Sequence, residues 1–143
     1  MKDNILASIN FEKFLIEKSN FKINKNYIPK DEEMELDIKF KNEINIDENN
    51  TMALITLSCS VFNKAVERNY PFSLKVTIVG FFEYQANLTD EDILEILEVN
   101  GNAILFPYLR SYITTLTSNS GIPPLIIPTI NIAKLVKENK IID

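Results

Sequence analysis

The run Asn102-Ala-Ile-Leu-Phe-Pro-Tyr-Leu-Arg110, continued by Gly121-Ile-Pro-Pro-Leu-Ile-Ile-Pro128 and Asn131, decides how this chain is read. Its first part predicts a helix over about Asn102 to Thr117, with Ile104, Leu105, Tyr108, Tyr112, Ile113 and Leu116 on a wide apolar face. Pro107 has no amide hydrogen, so it either kinks that helix or marks its true first turn. Pro123, Pro124 and Pro128 keep the following segment extended. A last helix is expected from Asn131, a good N-cap, through Ile132, Leu135 and Val136 to about Asn139. Nothing in this stretch performs covalent chemistry.

Working outward, Thr89-Asp-Glu-Asp92 has the form of a capping box. It predicts a short helix to about Val99 with Ile93, Ile96 and Leu97 on one stripe, ended by Asn100-Gly101 as a left-handed cap. Before Tyr84 the period changes from helical to two. From Glu33 to Asn45, Met34, Leu36, Ile38 and Phe40 alternate with charged residues, which predicts a strand with one apolar face. Asp47-Glu-Asn-Asn50 is a turn, and a second strand is expected from Thr51 to about Glu67, broken by Glu67-Arg-Asn-Tyr-Pro71. Another runs from Phe72 to Tyr84. An earlier one covers Phe11 to Ile23, with a change of alternation near Glu17 to Ser19 that reads as a bulge. Asn24 to Asp31 is a connection. Strands followed by helices predict an α+β fold: a four-stranded antiparallel sheet with the C-terminal helices packed on one face, in a single domain over residues 1–143. A sheet this long either faces water or packs on a partner.

Composition narrows the chemistry. The 143 residues are 45% hydrophobic and 24% charged, as in a soluble globular domain, and the formal net charge of -5 weighs against nucleic-acid binding. With no histidine there is no Ser-His or Cys-His pair and no imidazole metal ligand. Gly80, Gly101 and Gly121 lie in no phosphate-cradling loop. An enzyme is therefore not expected, nor a cofactor, nor a metal. No apolar run approaches the ~20 residues that cross a bilayer, and the start, Met1-Lys-Asp-Asn-Ile-Leu-Ala-Ser-Ile-Asn10, is too polar and too short in its apolar part for a secretory signal. Cys59 lies in an apolar stretch, which predicts a buried, inert thiol and a cytoplasmic location.

The series Leu105-Phe-Pro-Tyr-x-Arg110, Ile113, Leu116, Gly121-x-Pro-x-Leu125, Pro128 and Asn131 resembles the C-terminal signature of the SecB family of protein-export chaperones, over roughly Asn100 to Val136. The resemblance implies a homotetramer built as a dimer of dimers. It also implies an ATP-independent holdase whose clients are unfolded polypeptides, preproteins or an antitoxin, held in long apolar grooves. In well-known members the client passes to the SecA motor. A holdase needs exposed apolar area and many weak contacts rather than catalytic groups, and the composition agrees. Candidate client-binding residues are Tyr27, Ile28, Leu36, Ile38, Phe40, Phe81, Phe82, Ile132 and Leu135. Those on strands equally suit an ordinary core. Arg110 either contacts a partner or caps a helix or pairs with a carboxylate at a subunit interface.

Aligned with the family, Lys18, Lys22 and Lys75 fall where SecA-binding members carry acidic docking residues. Those carboxylates meet a basic SecA tail, so the change of sign replaces attraction by repulsion. The expectation is a SecB-like holdase, with these lysines as partner-docking residues, that does not dock SecA in the usual way. A toxin–antitoxin-associated chaperone is one such role. The alternative is an interaction module that uses its apolar faces only for self-assembly.

Overall fold

The computed structural model describes residues 8–128, 132 and 134. Strands β1 (Ile9–Ile23), β2 (Ile38–Asp47), β3 (Met52–Val61) and β4 (Phe72–Tyr84) form one antiparallel sheet in the order β1-β4-β3-β2. A single-turn helix, α1 (Ala65–Arg68), lies between β3 and β4. Helix α2 (Asp90–Ile96), a π turn (Leu97–Gly101) and α3 (Asn102–Ser118) then follow without interruption.

Strand β4 has the predicted limits, and three others differ for physical reasons. The alternating residues 33–37 are not in the sheet. Ile38 pairs with Val61, and β3 turns out of the sheet at Phe62, whose amide makes a last bond to the Asp37 carbonyl, so the ladder does not continue to residues 33–36. Phe62 takes a left-handed backbone (φ 54°), unusual for a bulky side chain. It is held there by burial and by rings from Tyr70 and Phe72 at 4.6 and 5.1 Å. The strand expected to reach Glu67 therefore stops at Val61, and Ala65–Arg68 coil into α1. In β1 the register shifts between Ile16 and Lys18, the expected bulge, and again between Phe11 and Lys13. Each shift resets the alternation, so Phe11, Phe14, Ile16 and Phe21 all point to one face despite irregular spacing.

That face carries the core. Ala53, Ile55, Leu57, Cys59 and Val61 of β3 and Phe72, Leu74, Val76, Ile78 and Phe82 of β4 are buried beneath α3. Leu105, Leu109 and Ile113 of α3 are fully buried, with Phe106 close behind. Each such side chain contributes roughly 1.5–3 kcal/mol. The helix thus faces the sheet one position round from the expected stripe: Ile104 and Tyr108 are 41% and 42% exposed. Gly80 explains the seating, since a Cβ there would lie 2.7 Å from Leu105 Cδ2. Pro107 sits inside α3 on its exposed side.

The expected left-handed cap at Gly101 is absent. Its φ of -64° is helical, and the glycine is needed because a Cβ would overlap Ile55 Cδ1. Asn102 Nδ2 donates to the Glu98 carbonyl across the π turn at 2.9 Å. At the start of α2, the Asp92 amide donates to Thr89 Oγ1 at 3.1 Å, the first half of the expected capping box. Beyond α3, Thr114 Oγ1 donates to the Leu125 carbonyl at 3.0 Å and the Leu125 amide donates to Thr117 Oγ1 at 2.8 Å. This clamp lays the proline segment along α3 and buries Ile127. Ile132 and Lys134 are helical; Asn131, Leu135 and the rest of the expected last helix lie outside the described residues.

Gly80→Ala should lower the free energy of unfolding by about 1–3 kcal/mol, because Leu105 is fully buried and has nowhere to retreat. Denaturant midpoints at a fixed protein concentration check this; an unchanged midpoint contradicts the close seating of α3. Burial pushes the Cys59 thiol from 9.0 up to about 12. The native state then keeps a proton that the unfolded chain loses, so stability is complete below about pH 9 and falls as pH rises toward 12. A thiol reagent at pH 8 should label Cys59 only after denaturant is added.

Candidate functional site

The strand order makes a demand on the chain. β1 and β2 lie at opposite edges, so residues 24–37 must cross the ends of β4 and β3. They do so over the α1 link, which holds them by side-chain bonds. Asn24 is buried; its amide donates to the Pro71 carbonyl at 3.0 Å, and its Nδ2 donates to the carbonyls of Ala65 (3.2 Å) and Tyr70 (2.9 Å). Its Oδ1 accepts from the Asn26 amide at 3.0 Å. Asn69, left-handed at the end of α1, accepts from the Ile28 amide and donates to the Ile28 carbonyl, both at 2.9 Å. At the far end the Phe62 amide donates to the Asp37 carbonyl at 2.9 Å. Arg68 lies 3.4 Å from the Asp37 carboxylate, a half-exposed pair that adds little.

The link anchors the crossover at Asn24 and Ile28, and several apolar side chains at this end face outward. Ile28 is 68% exposed, Met34 is 40%, and Val66 of α1 at the same end is 57%. A cleft of about 210 Å³ opens between crossover and link. Tyr27, Met34 and Tyr70 supply its apolar lining, and Lys30, Glu32, Glu33, Glu35, Arg68 and Asn69 its polar rim. Phe62 stacks behind Tyr70 and keeps that wall rigid. Tyr27, Met34 and Tyr70 within a charged rim can contact both apolar and polar side chains of an extended polypeptide.

The predicted client-binding residues separate into groups. Tyr27 and Ile28 come together on the crossover. Leu36 and Ile38 are partly buried where it re-enters the sheet. Phe40 and Phe82 are corrections: at 2% and 1% exposure they are core, packed on Phe106 and Phe11, and present no surface. Ile132 is likewise buried, and Leu135 lies outside the described residues. Phe81 is on the opposite face of the sheet, under the Lys13 ammonium at 5.0 Å. Alternation alone missed Met34, Val66 and Tyr70, whose placement depends on the crossover and on α1. Lys18, Lys22 and Lys75 stand together, exposed, on the face away from the helices. Arg110 is partly buried and makes no ion pair among the described residues. Among those residues no acidic or sulfur cluster could hold a metal, and no helix is long and apolar enough to cross a membrane.

An open-faced sheet, one helical layer and a crossover with outward apolar side chains leave broad surface for contact with another polypeptide. Residues 15–141 match the family model of SecB, the preprotein translocase subunit, and the chain belongs to the SecB family. An uncharacterised protein of Methanocaldococcus jannaschii is 33% identical over 132 residues, covering 91% of this chain and 83% of that protein. The protein-export protein SecB of Neorickettsia sennetsu is 30% identical over 100 residues, 66% of this chain but only 61% of the longer relative. The fold matches that of the Mycobacterium tuberculosis SecB-like chaperone, solved with a peptide of the HigA1 antitoxin. The TM-score is 0.75 at 18% identity, with 90% of this chain and 95% of that one covered. The family is one of chaperones and not of enzymes.

Asn69→Gly keeps the left-handed backbone but removes both bonds to Ile28. Hydrogen exchange at the Ile28 amide should speed up by about tenfold or more, while β3 and β4 amides stay protected. Equal protection in both proteins contradicts the pinning.

Proposed function

We propose that this protein is an ATP-independent holdase that binds non-native polypeptides at the crossover and keeps them unfolded, for export or for antitoxin protection. The observation that carries this reading is the exposed group Ile28, Met34 and Val66 beside the Tyr27–Tyr70 cleft, with the Ile28 backbone held by Asn69. Clients of this kind are recognised by apolar side chains and not by sequence, which fits a shallow cleft and separate exposed residues. The mycobacterial chaperone solved with an antitoxin peptide supports an antitoxin as one client class, and the family name supports preproteins as another. The protein acts as one unit in the cytoplasm, without enzymatic activity, cofactor or nucleic-acid partner.

The client surface of one copy is small, so useful affinity requires several copies presented together. A homotetramer, as a dimer of dimers, supplies them. Two surfaces suit assembly: the long edge of β1, with Leu15 and Ile23 exposed, and the helix side, with Leu94, Val99, Ile104 and Tyr108 exposed. Sheet-mediated docking of the basic SecA tail is not expected, because Lys18, Lys22 and Lys75 would face it.

At equimolar ratio the protein should suppress light scattering by an unrelated, chemically denatured protein. The double variant Ile28→Glu/Met34→Glu should lose most of that protection, at least about threefold, with a melting temperature shifted little because both sites are exposed. Absence of protection by the natural protein sinks the holdase reading and leaves a self-assembling module. Full protection by the double variant removes the crossover as its site.

A further inference from the structure

The sheet face turned away from the helices has two chemically different ends. Strand register sets its rows. One end carries Asn10–Glu83–Met52–Asp47 and Lys13–Phe81–Leu54–Asn45. Leu15–Val79–Thr56–Glu43 lies between the ends. The other end carries Lys18–Thr77–Ser58–Lys41, then Asn20–Lys75–Ser60–Lys39, then Lys22–Ser73. Lys18, Lys22, Lys39, Lys41 and Lys75 are all exposed, and among the described residues none of them pairs with a carboxylate. In a chain of net charge -5 this is a local reversal of sign. At the acidic end, Glu83 hydrogen-bonds the Glu12 carboxyl and raises its pKa, so the carboxylates crowd there and not among the lysines.

The lysines are arranged as two sides with a floor. Lys18 and Lys22 on β1, with Lys75 of β4 between them, form one side; Lys39 and Lys41 on β2 form the other. Ser58, Ser60 and Thr77 lie between, with Ser58 and Thr77 bonded to each other at 3.0 Å. With strands about 4.8 Å apart, the two sides stand roughly 10–14 Å from each other, the width of one extended polypeptide. Beside Lys75 the floor sinks into a cleft of about 440 Å³ whose polar lining is Asn20, Lys22, Ser60, Asn63, Ser73 and Lys75. Ammonium, amide and hydroxyl donors converging there are the chemistry that receives a carboxylate.

We propose that this end of the open sheet face docks an acidic, extended peptide segment of a partner protein, with one carboxylate in the Lys22–Lys75 cleft and others along the lysine rows. A nucleic acid fits less well. No arginine stands among these lysines; Phe21, the one ring lining the cleft, packs toward the core against Phe72 at 5.5 Å, and Phe81, the open-face ring, is at the other end. The surface is separate from the crossover cleft, so a client and an acidic partner can be held at once.

Fluorescence anisotropy with the full chain tests this, using a labelled glutamate-rich dodecapeptide, a lysine-rich one and a single-stranded oligonucleotide. The glutamate-rich peptide should bind, weakening by about tenfold or more as salt rises from about 50 to about 300 mM. Lys18→Gln/Lys22→Gln/Lys75→Gln should weaken it by at least about tenfold at low salt, whereas Lys25→Gln/Lys30→Gln on the crossover should not. All these lysines are exposed, so the variants should fold, and the triple variant should still suppress aggregation. That readout separates failure here from failure of the holdase reading. Undiminished binding by the triple variant, no binding of the acidic peptide, preference for the lysine-rich peptide, or tighter binding of the oligonucleotide would each overturn the proposal.

Discussion

Leu105 rests directly on the backbone of Gly80, and the Ile55 side chain fills the space that Gly101 leaves empty. These two contacts set the distance between helix and sheet, and most other features follow from it. With α3 seated this low over β4 and β3, Phe106 reaches Phe40 on β2, at 5.9 Å between rings, while Tyr108 reaches Phe14 on β1, at 4.5 Å. One helix thereby ties both edge strands to the centre. It also explains the π turn. A regular helix from Asp90 onward would bring its residues round in a different phase, and the wider turn at Leu97–Gly101 lets a glycine, and not a bulky neighbour, meet Ile55.

Covering one face this completely leaves the other uncovered, so the two sides of a single sheet carry different chemistry. The crossover at the sheet's end displays a few apolar side chains in a charged segment and is anchored by buried Asn24. The open face is lysine and hydroxyl at one end and acidic at the other. Neither surface asks anything of the core between them. The core could therefore stay constant while the surfaces changed.

Much of this was legible in the chain itself. Phe72–Tyr84 is read correctly because a central strand has its alternation enforced from both neighbours. The bulge at Glu17 showed as broken alternation, whereas that at Glu12 fell too near the strand's start to be seen. Residues 33–37 alternate as well as any strand; what they lack is a partner, and that depends on Phe62, some twenty-five residues on (about the scale at which local pattern is silent). Phe62 is itself a good strand former held left-handed by packing. Gly101 looked like a cap because Asn-Gly usually ends a helix, and only the position of Ile55 shows otherwise. At the candidate site, Tyr27 and Ile28 stood out as apolar residues in a polar connection. Phe40 and Phe82 alternate like surface residues and core residues alike, and only α3 and β1 decide between the two. The supporting roles of Asn24 and Asn69 left no trace beyond ordinary turn composition.

The pinned crossover has a consequence for timing. On the holdase reading proposed above, an ordered binding segment needs no rearrangement on encounter, so capture would proceed at the ordinary protein association rate of about 10⁵–10⁷ M⁻¹s⁻¹. At micromolar concentrations that is roughly 0.1–10 encounters per second for each client. A chain that folds in milliseconds will have buried its apolar side chains before the first meeting; one that needs seconds will not. Without reading any sequence, a surface held open by Asn24 and Asn69 would then choose its clients by how slowly they fold.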